Sequence, residues 1–345
     1  WWSTGMFSNV TSDSRQLFFN YGMLSNATNA PYGNYGFSVT EMTPGNEDVP
    51  VSTIPSQWAL SKFKQADDPT KGSYNNVMGM DCDAAGNLYA MVNNIFIEDV
   101  NTRVFAVSKS TDNGATWSDF EQAPKDLLKN YVATKGADVT LNYFAIPYDG
   151  DGFTVTGTDV FSYLCKVLYY ITEEEYVAEF IEVYKKAGTW GIRFIGEGTG
   201  WIAQCIDHEG LTATSTEYNS PFYAENPRSN EMQLAKTADG KHVVAKWIEY
   251  VDSYGTPTSI TINKRNSETA DDLYDYNEIT IDTVLTTDIF IAYRPVDGTT
   301  WTTLNVTKDT AFFNKSTYIP RIVPSINDIP LFALVTGSTI SSSFP

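Results

Sequence analysis

The chain has 345 residues, 42% hydrophobic and 14% aromatic, which is enough apolar material for a substantial core and excludes a wholly disordered protein. Its 42 acidic and 23 basic residues give a formal charge of −19, which argues against a nucleic acid or an anionic membrane as partner, because either needs a basic face. No apolar run reaches the ~18 residues needed to span a bilayer, so membrane insertion is not expected.

The N-terminal WWSTGMFSN has no initiator methionine, basic region or apolar leader, and reads as the start of a processed chain or an excised domain. Residues 43–72 are Pro-rich and polar and read as a long excursion. Beyond them, short runs rich in Val, Ile, Tyr, Phe and Thr, bounded by Gly, Asn, Asp and Pro, predict strands. They cover 87–92, 103–108, 152–156, 166–171, 191–195, 201–206, 242–247, 259–263, 288–293 and 331–335. Two segments have helical potential, Gln122–Ala133 and Glu173–Lys186; the β-branched and aromatic content of the second favours a strand. Cys82, Cys165 and Cys205 form neither a metal pair nor a disulfide framework and are expected as buried apolar residues.

A theme recurs along this all-β chain. Residues 81–118, DCDAAGNLYAMV…RVFAVSKSTDNGATWS, open on an Asp/Gly hairpin and close on a turn ending in Trp; residues 237–305, TADGKHVVAKWIEY…DIFIAYRPVDGTTWTTLN, do the same. Such recurrence predicts four-stranded antiparallel blades arranged around an axis. The expected architecture is one β-propeller domain over 1–345 with six blades, five to seven being compatible with the length. The blades fall at 15–60, 74–122, 137–188, 190–225 and 230–305, with the last built from 318–345 and the N-terminal strand. A pair of two-sheet sandwiches is the alternative.

The stretch STDNGATW matches S-x-D-x-G-x-T-W at Ser110, Asp112, Gly114, Thr116 and Trp117. Asp favours a turn by bonding its own backbone, Gly accepts positive φ, and Trp plugs the space between strands. A degenerate copy lies at Asp297, Gly298, Thr300 and Trp301. On these residues the chain resembles the Asp-box (BNR repeat), sialidase-like β-propellers. It also resembles the propeller portions of secreted Bacteroidetes-type surface proteins. The resemblance implies that the box is a structural turn between third and fourth strands, away from any active site, and that it marks fold rather than chemistry.

A sialidase needs an arginine cluster to grip the substrate carboxylate, a Tyr–Glu nucleophile pair and an acid. The early R-I-P motif of that family is missing, although folding could assemble a triad from Arg193, Arg228 and Arg294. Two acidic turns, with Asp81 and Asp83 in one and Asp149 and Asp151 in the other, are weak candidates for calcium, with an ordinary hairpin turn as the simpler reading. No cofactor and no catalytic residue is assigned. The expectation is a non-catalytic exported module, at the bacterial cell surface or in the medium, presenting loops to glycan or protein partners. The rival expectation is a glycoside hydrolase with its site at the propeller axis.

Overall fold

The computed structural model describes residues 2–10, 15–23, 34–42, 52–54, 79–95, 103–112, 116–141, 143–146, 152–198, 230–253, 258–264, 275–281, 284–308 and 312–337. They are mostly strand, arranged as successive antiparallel sheets with the helix α1 (Leu127–Thr134) between the second and third.

The first sheet holds β1 (Trp2–Val10), β2 (Arg15–Met23), β3 (Asn34–Met42) and β4 (Ser52–Ile54), paired in that order. The second holds β5 (Gly79–Cys82), β6 (Leu88–Ile95), β7 (Arg103–Ser110) and β8 (Glu121–Gln122). In the third, β9 (Tyr143–Ile146) and β10 (Phe153–Gly157) pair with opposite halves of β11 (Val160–Tyr170) and so act as one interrupted edge strand. The sheet continues through β12 (Tyr176–Lys186) to β13 (Thr189–Gly198).

The fourth sheet contains β14 (Gln233–Thr237) and β15 (His242–Ser253). A separate hairpin, β16 (Thr258–Lys264) with β17 (Asp275–Ile281), follows before β18 (Val284–Pro295) pairs back along the whole of β15. Outside β18 lies β19 (Thr302–Asn305). Last come β20 (Phe312–Tyr318), β21 (Ile322–Val323), which runs parallel to β14, and β22 (Phe332–Gly337), paired with β20.

First strands of successive sheets adjoin one another: β1 lies beside β5, β5 beside β10, and β10 beside β14. The middle sheets are therefore buried on both faces, and their sequences show it. Along β11, Phe161, Tyr163, Cys165, Val167 and Tyr169 join the core shared with the second sheet, while Leu164 points into the core shared with the fourth. Along β15, Val243, Ala245 and Trp247 face the third sheet and Val244 faces Ile319 and Val323. Near-continuous apolar runs are the expected pattern for strands with no solvent face.

The connections between first and second strands, and between third and fourth, meet their counterparts on neighbouring sheets. The Thr158 hydroxyl, in the β10–β11 turn, donates to Asp83 Oδ2 in the β5–β6 turn at 3.1 Å. Lys109 Nζ, at the end of β7, lies 3.1 Å from Asp159 Oδ1, and Lys186 Nζ, before the β12–β13 turn, lies 2.7 Å from Asp297 Oδ1 in the β18–β19 turn. The β12–β13 turn, Ala187–Gly188, has φ of 50° and 76°. Two positive φ values in a two-residue hairpin loop match the twist of the strands, and glycine adopts the second without strain.

Three sequence expectations change. Thr189–Gly198 is the outer strand of the third sheet rather than the start of a separate blade at 190–225, and β10 lies directly beside β14, so no sheet separates the third from the fourth at their first strands. The N-terminal strand pairs with β2 in its own sheet, not with the C-terminal strands. Part of the 43–72 excursion is a strand, because Ser52–Ile54 finds a free edge on β3. Within Glu173–Lys186, Tyr176–Lys186 forms β12, as its β-branched content favours, and the second half of Gln122–Ala133 enters α1 at Leu127. The strand expected at 201–206 lies outside the described residues.

Close approach of β5 to β10 depends on Gly79, where a Cβ would overlap the side chain of Phe153. Gly79→Val is expected to lower stability by about 1–3 kcal/mol through overpacking; a thermal melt unchanged from wild type would contradict this contact.

Candidate functional site

Two of the polar clusters among the described residues where the sheets meet are the richest in charge. The first is at the inner strands. Asp81, on β5, accepts from the Val155 amide at 2.7 Å and the Thr154 hydroxyl at 3.1 Å, both on β10. Lys236, on β14, donates to Asp81 Oδ2 at 3.3 Å, to the Cys82 carbonyl at 3.3 Å and to the Val155 carbonyl at 3.0 Å. Arg321, just before β21, donates to the Met80 carbonyl at 2.6 Å. Burial, with the Asp81 charge next, pushes the Cys82 thiol up to about 12, and burial drives Cys165 well above its ordinary value. Neither thiol supplies a thiolate nucleophile near neutral pH.

The second cluster is centred on Glu182 of β12, fully buried between the third and fourth sheets. Arg294, on β18, grips the carboxylate with two donors, Nη2 to Oε1 and Nε to Oε2, the latter at 3.0 Å. The Ser162 hydroxyl donates to Oε1 at 2.5 Å, and Oε2 accepts from Trp301 Nε1 at 3.0 Å and from Arg193 Nη1 at 3.2 Å. Arg294 also donates to the Ser162 hydroxyl at 3.1 Å and to the carbonyls of Pro295 and Val296. Arg193 also lies over the Tyr184 ring, 3.5 Å from its centroid. Burial pushes the Glu182 carboxyl up, but the bonds and charge of Arg294, the Ser162 bond and the Arg193 charge outweigh it and hold it below its ordinary value.

Two arginines of the triad suggested by sequence, Arg193 and Arg294, thus converge on an internal glutamate; Arg228 lies outside the described residues. The physical reason is that a buried guanidinium needs a counter-charge, and Glu182 supplies it within the fold. Asp112 of the Asp-box stretch accepts the Ser110 hydroxyl at 2.8 Å, the Thr116 amide at 2.8 Å and the Thr116 hydroxyl at 2.6 Å. Those Thr116 bonds, then Ser110, hold its carboxyl below its ordinary value. Trp117 is half-buried against the core of the second and third sheets, and Gly114 lies outside the described residues. In the second turn Asp297 is an exposed partner of Lys186, Gly298 donates to the Pro295 carbonyl at 2.9 Å, Thr300 is exposed, and Trp301 is buried on Glu182.

Asp83 accepts from the Ala85 and Asn87 amides, the Asn87 side chain, Tyr89 and Thr158. With Lys236 on Asp81, the carboxylates of the first calcium candidate are committed to the protein's own donors. Asp149 and Asp151 lie outside the described residues. Among the described residues no group of three or more His, Cys, Asp or Glu is placed to hold a metal.

Glu182 was legible as part of a strand but was not singled out. Its signal is positional: it follows Phe180 by two residues in AEFIEVY, so it shares the buried face of that phenylalanine. Lys166 and Lys246 carry the same signal, each inside an apolar strand run.

No family model matches the chain, and no curated protein matches it. Among solved structures it is similar to a protein of unknown function from Dyadobacter fermentans, with 12% identity over 99% of this chain and 81% of that one and a TM-score of 0.38. It is also similar to an α-L-arabinofuranosidase from Fusarium graminearum, with 12% identity, 97% and 93% coverage and a TM-score of 0.34. An α-L-arabinanase from Penicillium chrysogenum has 10% identity, 98% and 94% coverage and a TM-score of 0.35. Likeness of this degree carries no argument about fold or activity.

Because the folded-state pKa of Glu182 lies below the ordinary 4.5, its contribution to stability is complete above that value and is lost as pH falls through the lower folded-state value. Glu182→Gln leaves two arginines without their buried counter-charge and is expected to cost about 3–5 kcal/mol at neutral pH. The difference from wild type should shrink on acidification below the ordinary value. Denaturant unfolding across pH measures both, and a difference independent of pH would contradict the assignment.

Proposed function

We propose that the chain is an Asp-box-type β-propeller that works as a non-catalytic binding or structural module, exported to the bacterial surface or medium. The observation that carries this reading is the one-sided distribution of its connections. In the second, third and fourth sheets, the turns 83–87, 158–159, 187–188 and 296–301 join first to second or third to fourth strands, and Asp83, Thr158, Lys186 and Asp297 tie neighbouring turns together. From the opposite ends of the strands leave the segment that carries α1, between β8 and β9, and the β16–β17 hairpin, between β15 and β18. A rigid scaffold with long connections on one side is the usual way to present binding loops, here to a glycan or a protein.

The adjoining first strands β1, β5, β10 and β14 support the radial arrangement.

A panel of aryl glycosides that includes a sialoside, run beside a glycan array and a pull-down of surface proteins, tests the proposal. The expected result is binding without turnover, retained in Asp112→Ala, because that residue lies among the short turns. Hydrolysis of any glycoside would overturn the non-catalytic reading.

A further inference from the structure

Lys166, Asn230 and Glu249 form a triad in the seam between the third and fourth sheets, all three essentially buried. Lys166 Nζ, on β11, donates to Asn230 Oδ1 at 3.3 Å and to Glu249 Oε2 at 3.4 Å. Asn230 Nδ2 donates to the same Glu249 Oε2 at 3.4 Å and to the Ile248 carbonyl at 2.8 Å. Asn230 is also fixed through its backbone, whose carbonyl accepts from the Ile248 amide at 2.8 Å. The surroundings are aromatic: the ammonium lies 5.4 Å from the centre of the Phe180 ring, which stacks on Trp247 at 4.7 Å. Gly198 closes the site, since a Cβ there would lie 3.3 Å from Lys166 Cε and 3.4 Å from Glu249 Oε2.

We propose that this triad forms an intramolecular amide bond between Lys166 Nζ and Asn230 Cγ, with Glu249 as the catalytic proton carrier. In the reaction Glu249 Oε2 accepts one proton from the lysine ammonium, which frees the amine lone pair. The amine lone pair attacks Asn230 Cγ, and the protonated Glu249 faces the leaving nitrogen Nδ2. The new C–N bond forms, the Cγ–Nδ2 bond breaks, and Glu249 passes a proton taken from the amine to Nδ2, which departs as ammonia. Atoms and electrons balance without an oxidant or co-reactant. One oxygen, Oε2, touches both the attacking and the leaving nitrogen, which is the geometry a single proton carrier requires. Held in contact by β11, β15 and the entry to β14, the partners gain the rate advantage of an intramolecular reaction.

The product staples the third sheet to the fourth across the 64 positions that separate Lys166 from Asn230. This inference is independent of the proposed binding role.

Intact mass spectrometry of the full chain, with tryptic mapping, tests it. The wild type should lie about 17 Da, one ammonia, below the mass of its sequence, with a branched peptide joining Lys166 to Asn230. Lys166→Arg and Glu249→Gln should each restore the unreacted mass and remove the branched peptide. A wild-type mass equal to the sequence mass, a gain of about 1 Da from simple deamidation, or a map with Lys166 and Asn230 in separate linear peptides would overturn the proposal. The wild-type measurement decides the matter even where a variant fails to fold.

Discussion

Burying both faces of a sheet leaves no solvent side on which to place charge, and yet β12, β15 and β18 carry Glu182, Lys246 and Arg294 in their buried stretches. Each charge must find its partner across a seam, so the seams acquire a register that apolar packing alone does not impose. The Arg294–Glu182 pair is the fullest example. Its forked geometry fixes β18 against β12, while Ser162 and Trp301 draw in β11 and the β18–β19 turn. If the two sheets slid by one residue, each of these groups would be left desolvated without a partner. That penalty explains how Leu164, Phe180 and Trp247 come to interdigitate in one arrangement.

The same logic runs through the other seams. Lys236 bridges three inner strands by bonding to Asp81, Cys82 and Val155, and Lys246 reaches Thr317 and the Glu231 carbonyl. Hydrogen bonds to carbonyls let a buried ammonium be satisfied with few carboxylates. The strongly acidic balance of the whole chain therefore says little about these seams, where lysine and arginine are used as cross-braces. Short turns at one end are bound to one another by hydrogen bonds and ion pairs.

Strand positions were legible because their cause is local: β-branched and aromatic runs bounded by turn residues define β6, β7, β11, β15 and β18 with little tertiary help. The Asp112 turn was legible for the same reason, since its bonds to Ser110 and Thr116 are all within six residues. Assignment of β13 to the third sheet was not legible, because pairing of Thr189–Gly198 with β12 depends on the two-residue turn Ala187–Gly188 rather than on composition. The buried clusters were legible only in part. An inward Glu182 shows that a charge is buried, but its partner lies 112 residues away in Arg294, and no local pattern encodes that distance.

The central claim is that charge pairing across the seams fixes how the sheets sit together, and a double-mutant cycle on Glu182 and Arg294 tests it most directly. With both replaced by methionine, singly and together, equilibrium unfolding should show two strongly destabilised single variants and a double variant that recovers much of the loss, a coupling of about 1–3 kcal/mol. Single losses that simply add in the double variant would contradict the account.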